Sequence, residues 1–105
     1  MYVVFLRFSA GRDQAGRLMQ AHKDWLQRGF DEGVFLLAGS IQPQAGGMIL
    51  ASGVTLAQLE DRIGSDPFVA EDVVQAEIVA VTLSKADPRL AFLLSHQEAD
   101  HTASS

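Results

Sequence analysis

Apolar residues recur along this chain at two different spacings, which separate its predicted strands from its predicted helices. Residues Tyr2 to Phe8 are mostly β-branched or aromatic, and this composition predicts a strand in which only Arg7 is polar. From about Asp13 to Phe30, apolar positions follow one another in steps of three and four, which predicts an amphipathic helix. Asp13 suits the N-cap of this helix, and Gly33 suits its C-terminal stop.

The middle of the chain has the pattern of a β-hairpin. Residues 34–41 (VFLLAGSI) and residues 48–52 (MILAS) are apolar runs of strand length. The segment 42–47 that joins them is short and contains Pro and two Gly, which is typical of a turn. We therefore expect the second and third strands to pair with each other.

Two helix starts follow the hairpin. Thr55 with Gln58 three residues later has the pattern of a capping box, which opens a helix immediately after Thr55. A second start has Asp66 or Ser65 as its cap and Pro67 at the first helical position.

The last predicted element of the domain is a fourth strand over residues 74–83 (VQAEIVAVTL). The complete order is therefore β-α-β-β-α-β, the split βαβ arrangement of ferredoxin-like α+β domains with an antiparallel sheet. In that arrangement both helices cover one face of the sheet.

The strands carry more apolar residues than one sheet face can bury. In the first strand, Val3 and Phe5 lie on one face and Val4 and Leu6 on the other, so both faces are apolar. The second strand also has apolar residues on both faces. An exposed apolar face is typical of an interface, which predicts a homodimer with two sheets packed face to face. The alternative is that the apolar segment 89–94 folds back over that face within one chain.

Composition limits the class of protein. The chain has 105 residues, 48% of them hydrophobic, and no cysteine, which indicates one domain over residues 1–83 with an extension over 84–105 that ends in a frayed tail. Its apolar runs are far shorter than the roughly 20 residues of a membrane helix, so we expect no membrane association. Since it opens on a strand pattern without a signal-like leader, we expect a cytoplasmic protein.

Charge narrows the partners. Eight Lys and Arg against 13 Asp and Glu give a net charge of −5, and the positive residues are scattered, so no basic stripe for nucleic acid is present. We expect no metal site, because His96 and His101 are loosely spaced near the terminus. A small-molecule ligand remains as the expected partner besides a second copy of the chain.

His22 is the candidate for acid–base chemistry. It falls in the apolar register of the first helix, between Met19 and Trp25, and so points toward the sheet. Histidine is the side chain that most often transfers protons at neutral pH, so His22 is a candidate general acid or base. The structural alternative is a core or rim histidine whose ring is satisfied by a backbone carbonyl.

Asp66 is the second candidate. Helix capping alone explains an Asp before Pro67, but the carboxylate is also placed to orient His22 if the two helices bring them together. Sequence spacing leaves open whether they meet. Arg7 and Ser40 lie in strands near apolar neighbours and are candidate polar groups of a pocket.

Several short motifs together resemble the YCII-related (YciI-like) family of the dimeric α+β barrel superfamily. The resemblance covers about residues 1–83. The motifs are, in chain order, His22 followed by Trp25-Leu26, then Asp31-Glu32-Gly33, Leu37-Ala38-Gly39, Gly46-Gly47 and Asp66-Pro67-Phe68.

The resemblance implies a ferredoxin-like fold that dimerises through its sheets, and an active site built on a histidine and an aspartate, here His22 and Asp66. The first functional hypothesis is a cofactor-independent enzyme, a lyase, isomerase or dehydrochlorinase acting on a small ring compound. Trp25 and Phe68 would then form the apolar wall of the pocket. The alternative functions are a non-catalytic module that binds a small ligand, and a purely structural dimer.

Overall fold

The computed structural model describes residues 1 to 95, and the tail expected after Ser95 lies outside them. The elements follow the predicted β-α-β-β-α-β order, with the second helical part divided into two helices. Its elements are β1 (Tyr2–Phe8), α1 (Ala15–Asp31), β2 (Phe35–Ile41), β3 (Gly46–Ala51), α2 (Leu56–Gly64), α3 (Pro67–Ala70) and β4 (Val74–Ala80), with short 3-10 turns at Arg12–Gln14 and Pro88–Leu90.

The four strands form one antiparallel sheet in the order β2-β3-β1-β4. The split βαβ arrangement predicted from the sequence is confirmed, because β3 lies between β2 and β1. The predicted hairpin of β2 and β3 is present, with Ser40 opposite Gly47.

One face of the sheet packs against the helices and forms the core. Side chains alternate along β1, so Tyr2, Val4 and Leu6 are buried beneath the helices while Arg7 is exposed on the other face. The core is completed by residues of α1, α2, α3 and the other strands, including Trp25, Phe35, Ile49, Ala51, Leu59, Ile63, Phe68, Val73 and Val74. Burial of this apolar surface is the main force that holds the helices to the sheet.

The opposite face of the sheet is also apolar. The register places a row of aliphatic side chains across all four strands, and a second row contains Phe5 and Met48. Leu37 is 46% exposed and Val79 38% exposed. In the extension, Leu90 and Phe92 are about half exposed as well. The aliphatic row consists of Val79, Val3, Leu50 and Leu37.

Several predicted boundaries differ from the structure by one or more residues. Asp13 does not cap α1; it lies in a 3-10 turn, and Gln14 occupies the N-cap without a side-chain hydrogen bond. Strand β3 begins at Gly46 instead of residue 48, because the backbone already pairs with β1 there. Strand β4 ends at Ala80 instead of residue 83. The other caps are as predicted, including the Thr55–Gln58 capping box.

Among residues 1 to 95, no helix is both long enough and apolar enough to cross a membrane.

Gly29 illustrates how closely α1 approaches the sheet. A Cβ added at Gly29 would overlap the ring of Phe35, whereas one added at Gly16 of the same helix would meet nothing within 4 Å. We therefore expect Gly29→Ala to lower the free energy of unfolding by about 1–3 kcal/mol through overpacking. Gly16→Ala, the matched control, should leave it unchanged or raise it by up to about 1 kcal/mol.

Urea denaturation of the two variants and the wild-type protein measures this difference. Equal midpoints for Gly29→Ala and Gly16→Ala would contradict the close packing of Phe35 on α1.

Candidate active site

His22 lies on the inward face of α1 with its imidazole held between aromatic rings. The ring stacks on Phe68 with centroids 4.1 Å apart and an interplanar angle of 3°. Trp25 lies one turn further along α1, 5.7 Å from the imidazole centroid. Only 16% of the His22 side chain is exposed. These contacts fix the plane of the imidazole and leave one edge of it open.

Asp66 is completely buried at the junction between α2 and α3. Its Oδ1 accepts the backbone N–H of Phe68 at 3.0 Å, which caps α3. The same Oδ1 lies 2.8 Å from Nδ1 of His22. The fold thus brings together two residues that are 44 positions apart in the sequence.

The contact determines which imidazole nitrogen is used within the fold. A carboxylate oxygen accepts hydrogen bonds, so Nδ1 of His22 donates to Asp66. Nε2 has no hydrogen bond to any of residues 1–95 and is the nitrogen left for a ligand. A backbone carbonyl is therefore not the partner of His22, contrary to the structural alternative considered from the sequence.

Asp66 carries a second oxygen whose environment is unusual. Oδ2 is buried without a hydrogen-bond partner among the described residues. Burying a polar atom without a partner costs free energy. Capping α3 uses Oδ1 alone, so Oδ2 takes no part in the cap.

A cavity of about 350 Å³ opens beside the His22 ring. It lies between α1 and the end of the sheet where β2 and β3 meet. Its lining is apolar or small apart from three polar side chains. The lining residues are Met19, His22, Lys23, Leu26, Ala38, Gly39, Ser40, Gly46, Gly47 and Phe68.

The cavity exists because the inward positions of β2 and β3 are small at this end of the sheet. The strand register places Ser40 and Gly47 side by side on the helix-facing surface, followed by Ala38 beside Ile49. At the other end the corresponding position is Phe35, which fills the core. Because these side chains are small, space for a ligand remains between the sheet and α1.

The backbone at the start of β3 requires glycine. Gly46 has a φ of +128°, and a Cβ there would overlap the carbonyl oxygen of Leu6. The Gly46-Gly47 pair, which the sequence indicated chiefly as a turn, thus forms part of the cavity wall.

The sequence-predicted site residues do not all line the cavity; Asp66 contacts His22 from outside the lining. His22, Ser40 and Phe68 line the cavity. Trp25 is buried behind His22 and donates its indole N–H to the carbonyl of Arg62 at 3.0 Å, so it supports the site without lining it.

Arg7, which was expected to contribute to the pocket, does not line this cavity. Arg7 lies on the sheet face opposite the cavity, where its guanidinium pairs with Glu77 at 2.6 Å and packs over the ring of Phe5. The alternation of a strand sends Arg7 away from the helices, while its neighbour Leu6 points toward them.

Several lining residues were not predicted from the sequence as site residues. The helical face that carries His22 also carries Met19, Lys23 and Leu26. Their spacing along α1 therefore indicated that they lie beside His22. Ala38 and Gly47 join the site only through strand register, which the sequence does not specify. Within residues 1 to 95, no group of three His, Asp or Glu side chains could hold a metal ion; His96 and His101 lie outside this range.

No protein-family model and no curated protein matches the chain. Among solved structures, it is similar to 5-chloro-2-hydroxyhydroquinone dehydrochlorinase (TftG) from Burkholderia phenoliruptrix AC1100 in complex with 2,5-dihydroxybenzoquinone. The TM-score is 0.64 at 10% identity, with 80% of this chain and 96% of that chain covered. This likeness supports the fold already described, a ferredoxin-like α+β domain with a four-stranded antiparallel sheet.

Loss of the Asp66 cap provides a test of its structural role. We expect Asp66→Ala to lower the free energy of unfolding by about 1–2 kcal/mol, since the Phe68 N–H loses its acceptor. Asp66→Ser, which returns a capping oxygen on a shorter side chain, should recover most of that loss.

Urea denaturation gives the stability of each variant, and ¹⁵N chemical shifts give the His22 tautomer. The Nδ1–H form should decrease in both variants because neither retains a carboxylate beside Nδ1. An unchanged tautomer in both would contradict the assigned hydrogen bond.

Proposed function

We propose that this protein is an enzyme in which His22 transfers a proton to or from a small ring compound bound in the cavity. The observation that supports it best is the 2.8 Å contact between His22 Nδ1 and the buried Asp66 carboxylate. That contact orients the imidazole and directs Nε2 to the ligand side. The reaction class is a cofactor-independent elimination or isomerisation, as in a lyase, isomerase or dehydrochlorinase.

In this proposal His22 is the general base and Asp66 is its positioning residue. Nε2 accepts a proton from a hydroxyl or an activated carbon of the ring, and the imidazole becomes positively charged. The buried carboxylate of Asp66 stabilises that charge, because the attraction between opposite charges is stronger away from water. Return of the proton to another ring atom gives isomerisation; departure of a leaving group with its bonding electron pair gives elimination.

The shape of the cavity supports a planar substrate. Its floor is made by Gly39, Gly47 and the short side chain of Ala38, while Phe68 presents an aromatic wall. A volume of about 350 Å³ falls within the range of small-molecule sites. The structural neighbour is named for a hydroquinone substrate and is in complex with a benzoquinone. We extend the single-ring substrate class from that neighbour to this chain.

The order and spacing of the motifs around His22 and Asp66, together with the fold, support membership of the YCII-related family. The Asp66-Pro67-Phe68 motif has a structural explanation that fits this proposal. Asp66 contacts Nδ1, Pro67 begins α3, and Phe68 stacks on the imidazole. Each residue of the motif thus acts on His22 directly or through the cap.

Replacement of His22 tests the catalytic role. We expect His22→Gln to reduce turnover of a ring substrate, found by screening catechols, hydroquinones and lactones, by about 10²–10⁴-fold. Asp66→Asn should also reduce kcat, since an amide cannot stabilise the charged imidazole. His96→Gln, which removes a histidine from the C-terminal extension, is the control and should keep wild-type activity.

The measurements are steady-state kinetics and ligand binding by calorimetry. Full turnover in His22→Gln would remove His22 from the mechanism. Binding of ring compounds by the wild-type protein without turnover would indicate the non-catalytic binding module instead.

We further propose that the protein is a homodimer formed through the outer face of the sheet. Leu50, Leu37 and Val79 belong to a continuous aliphatic row on that face, and exposed apolar patches of roughly several hundred Å² are typical of interfaces. Leu90 and Phe92 of the extension are 47% and 51% exposed, so this segment itself leaves apolar surface open. This favours a second subunit over coverage by segment 89–94.

A charged residue on the outer face tests this assembly. We expect Leu50→Glu to convert the dimer to a monomer, since it places a carboxylate in the centre of the apolar row. Leu56→Glu is the matched control, because Leu56 is 45% exposed on α2 at the helix side of the sheet.

Analytical ultracentrifugation measures the mass of each variant in solution, and circular dichroism checks that each is folded. A monomeric wild-type protein, or a Leu50→Glu variant that remains a dimer, would contradict assembly through this face.

A further inference from the structure

Lys23 follows His22 on α1 and lines the same cavity. It is the lining residue that carries a permanent positive charge at neutral pH. His22 is mostly buried, whereas Lys23 is exposed, so the cavity has an inner end at the imidazole and an outer end at Lys23. The only other polar side chain of the lining is that of Ser40.

The charge of Lys23 is not used by the fold. Arg7, Arg62 and Arg89 each pair with a carboxylate, at 2.6, 2.7 and 3.0 Å respectively. Lys23 has no ion pair or hydrogen bond with any of residues 1–95. Its sequence neighbour Asp24 instead accepts a hydrogen bond from Gln20, one turn earlier on α1.

We propose that Lys23 is a specificity-determining residue that selects ring compounds bearing an anionic substituent, such as a carboxylate. This rests on the function proposed above and adds the charge of the substrate to it. The ring occupies the glycine-floored part of the cavity with its reacting atom near His22 Nε2. The anionic substituent lies at the outer end, beside the Lys23 ammonium group.

The electrostatic setting makes one lysine sufficient for this selection. With a net charge of −5, the protein as a whole repels anions. The apolar and glycine residues around the cavity provide no charge to compensate that repulsion. A local positive charge at the mouth therefore distinguishes an anionic ring from its uncharged analogue.

The flexible lysine stem also suits the geometry. It allows the ammonium group to follow a substituent at the mouth while the stacked His22 ring remains fixed. A solvated surface lysine with no ligand is the competing explanation, and it predicts no preference for anions.

The test compares two probes that differ by one carboxylate: 2,5-dihydroxybenzoate and 1,4-dihydroxybenzene. Both are titrated by NMR into the wild-type protein, Lys23→Gln and Arg28→Gln, with the His22 ring signals as readout. Arg28→Gln removes the same charge from the same helix at a residue that does not line the cavity.

We expect the wild-type protein and Arg28→Gln to bind the carboxylate about fivefold more tightly than the uncharged ring, a difference in the range for a partly solvated charge contact. Lys23→Gln should lose that preference and bind the uncharged ring as the wild type does. The preference should also decrease as salt is added.

Two failures are distinguishable. If both probes shift His22 in every variant without a preference, or with an equal preference in Lys23→Gln, the role of Lys23 is refuted while ring binding beside His22 stands. If neither probe shifts His22 in the wild-type protein, ring binding in this cavity is refuted, and the selectivity assigned to Lys23 is refuted with it.

Discussion

The hydrogen bond between the buried carboxylate of Asp66 and Nδ1 of His22 connects the two halves of this domain at its candidate site. Asp66 belongs to the junction of α2 and α3, and His22 belongs to α1, so the bond joins helices that cover the same sheet face. The same oxygen caps α3, which places Phe68 against the imidazole. The orientation of His22 therefore depends on the local structure of a four-residue helix.

Residue size along the sheet determines where the protein can hold a ligand. Phe35 and Trp25 fill the core at one end, with ring centroids 5.2 Å apart in an edge-on arrangement. At the other end, Ala38, Ser40 and Gly47 leave the helix-facing surface open beneath His22. Small side chains there make fewer van der Waals contacts than larger side chains would. The site is thus a local departure from a close-packed core, with an acid–base group directed into it.

The two faces of the sheet have different roles. The inner face forms the core and the candidate site, while the outer face carries the aliphatic row, in which Leu37 and Val79 are exposed in the single chain. Arg7 and Leu6 are adjacent in β1 yet lie on opposite faces of the sheet. Arg7 forms an ion pair on the outer surface, whereas Leu6 is buried. A face-to-face dimer would bury the outer surface and leave the cavity accessible from the helix side.

The sequence by itself determined the order of elements, the hairpin and the two-faced apolar strands, because these features follow from local spacing and turn chemistry. It also singled out His22 and Asp66, one through its inward helical register and the other through its cap position before Pro67. Only the tertiary structure decided that the two residues meet, that Arg7 points away, and that Lys23 lies at the cavity mouth. Those results depend on strand register and on contacts between residues distant in the chain, and local patterns do not encode them.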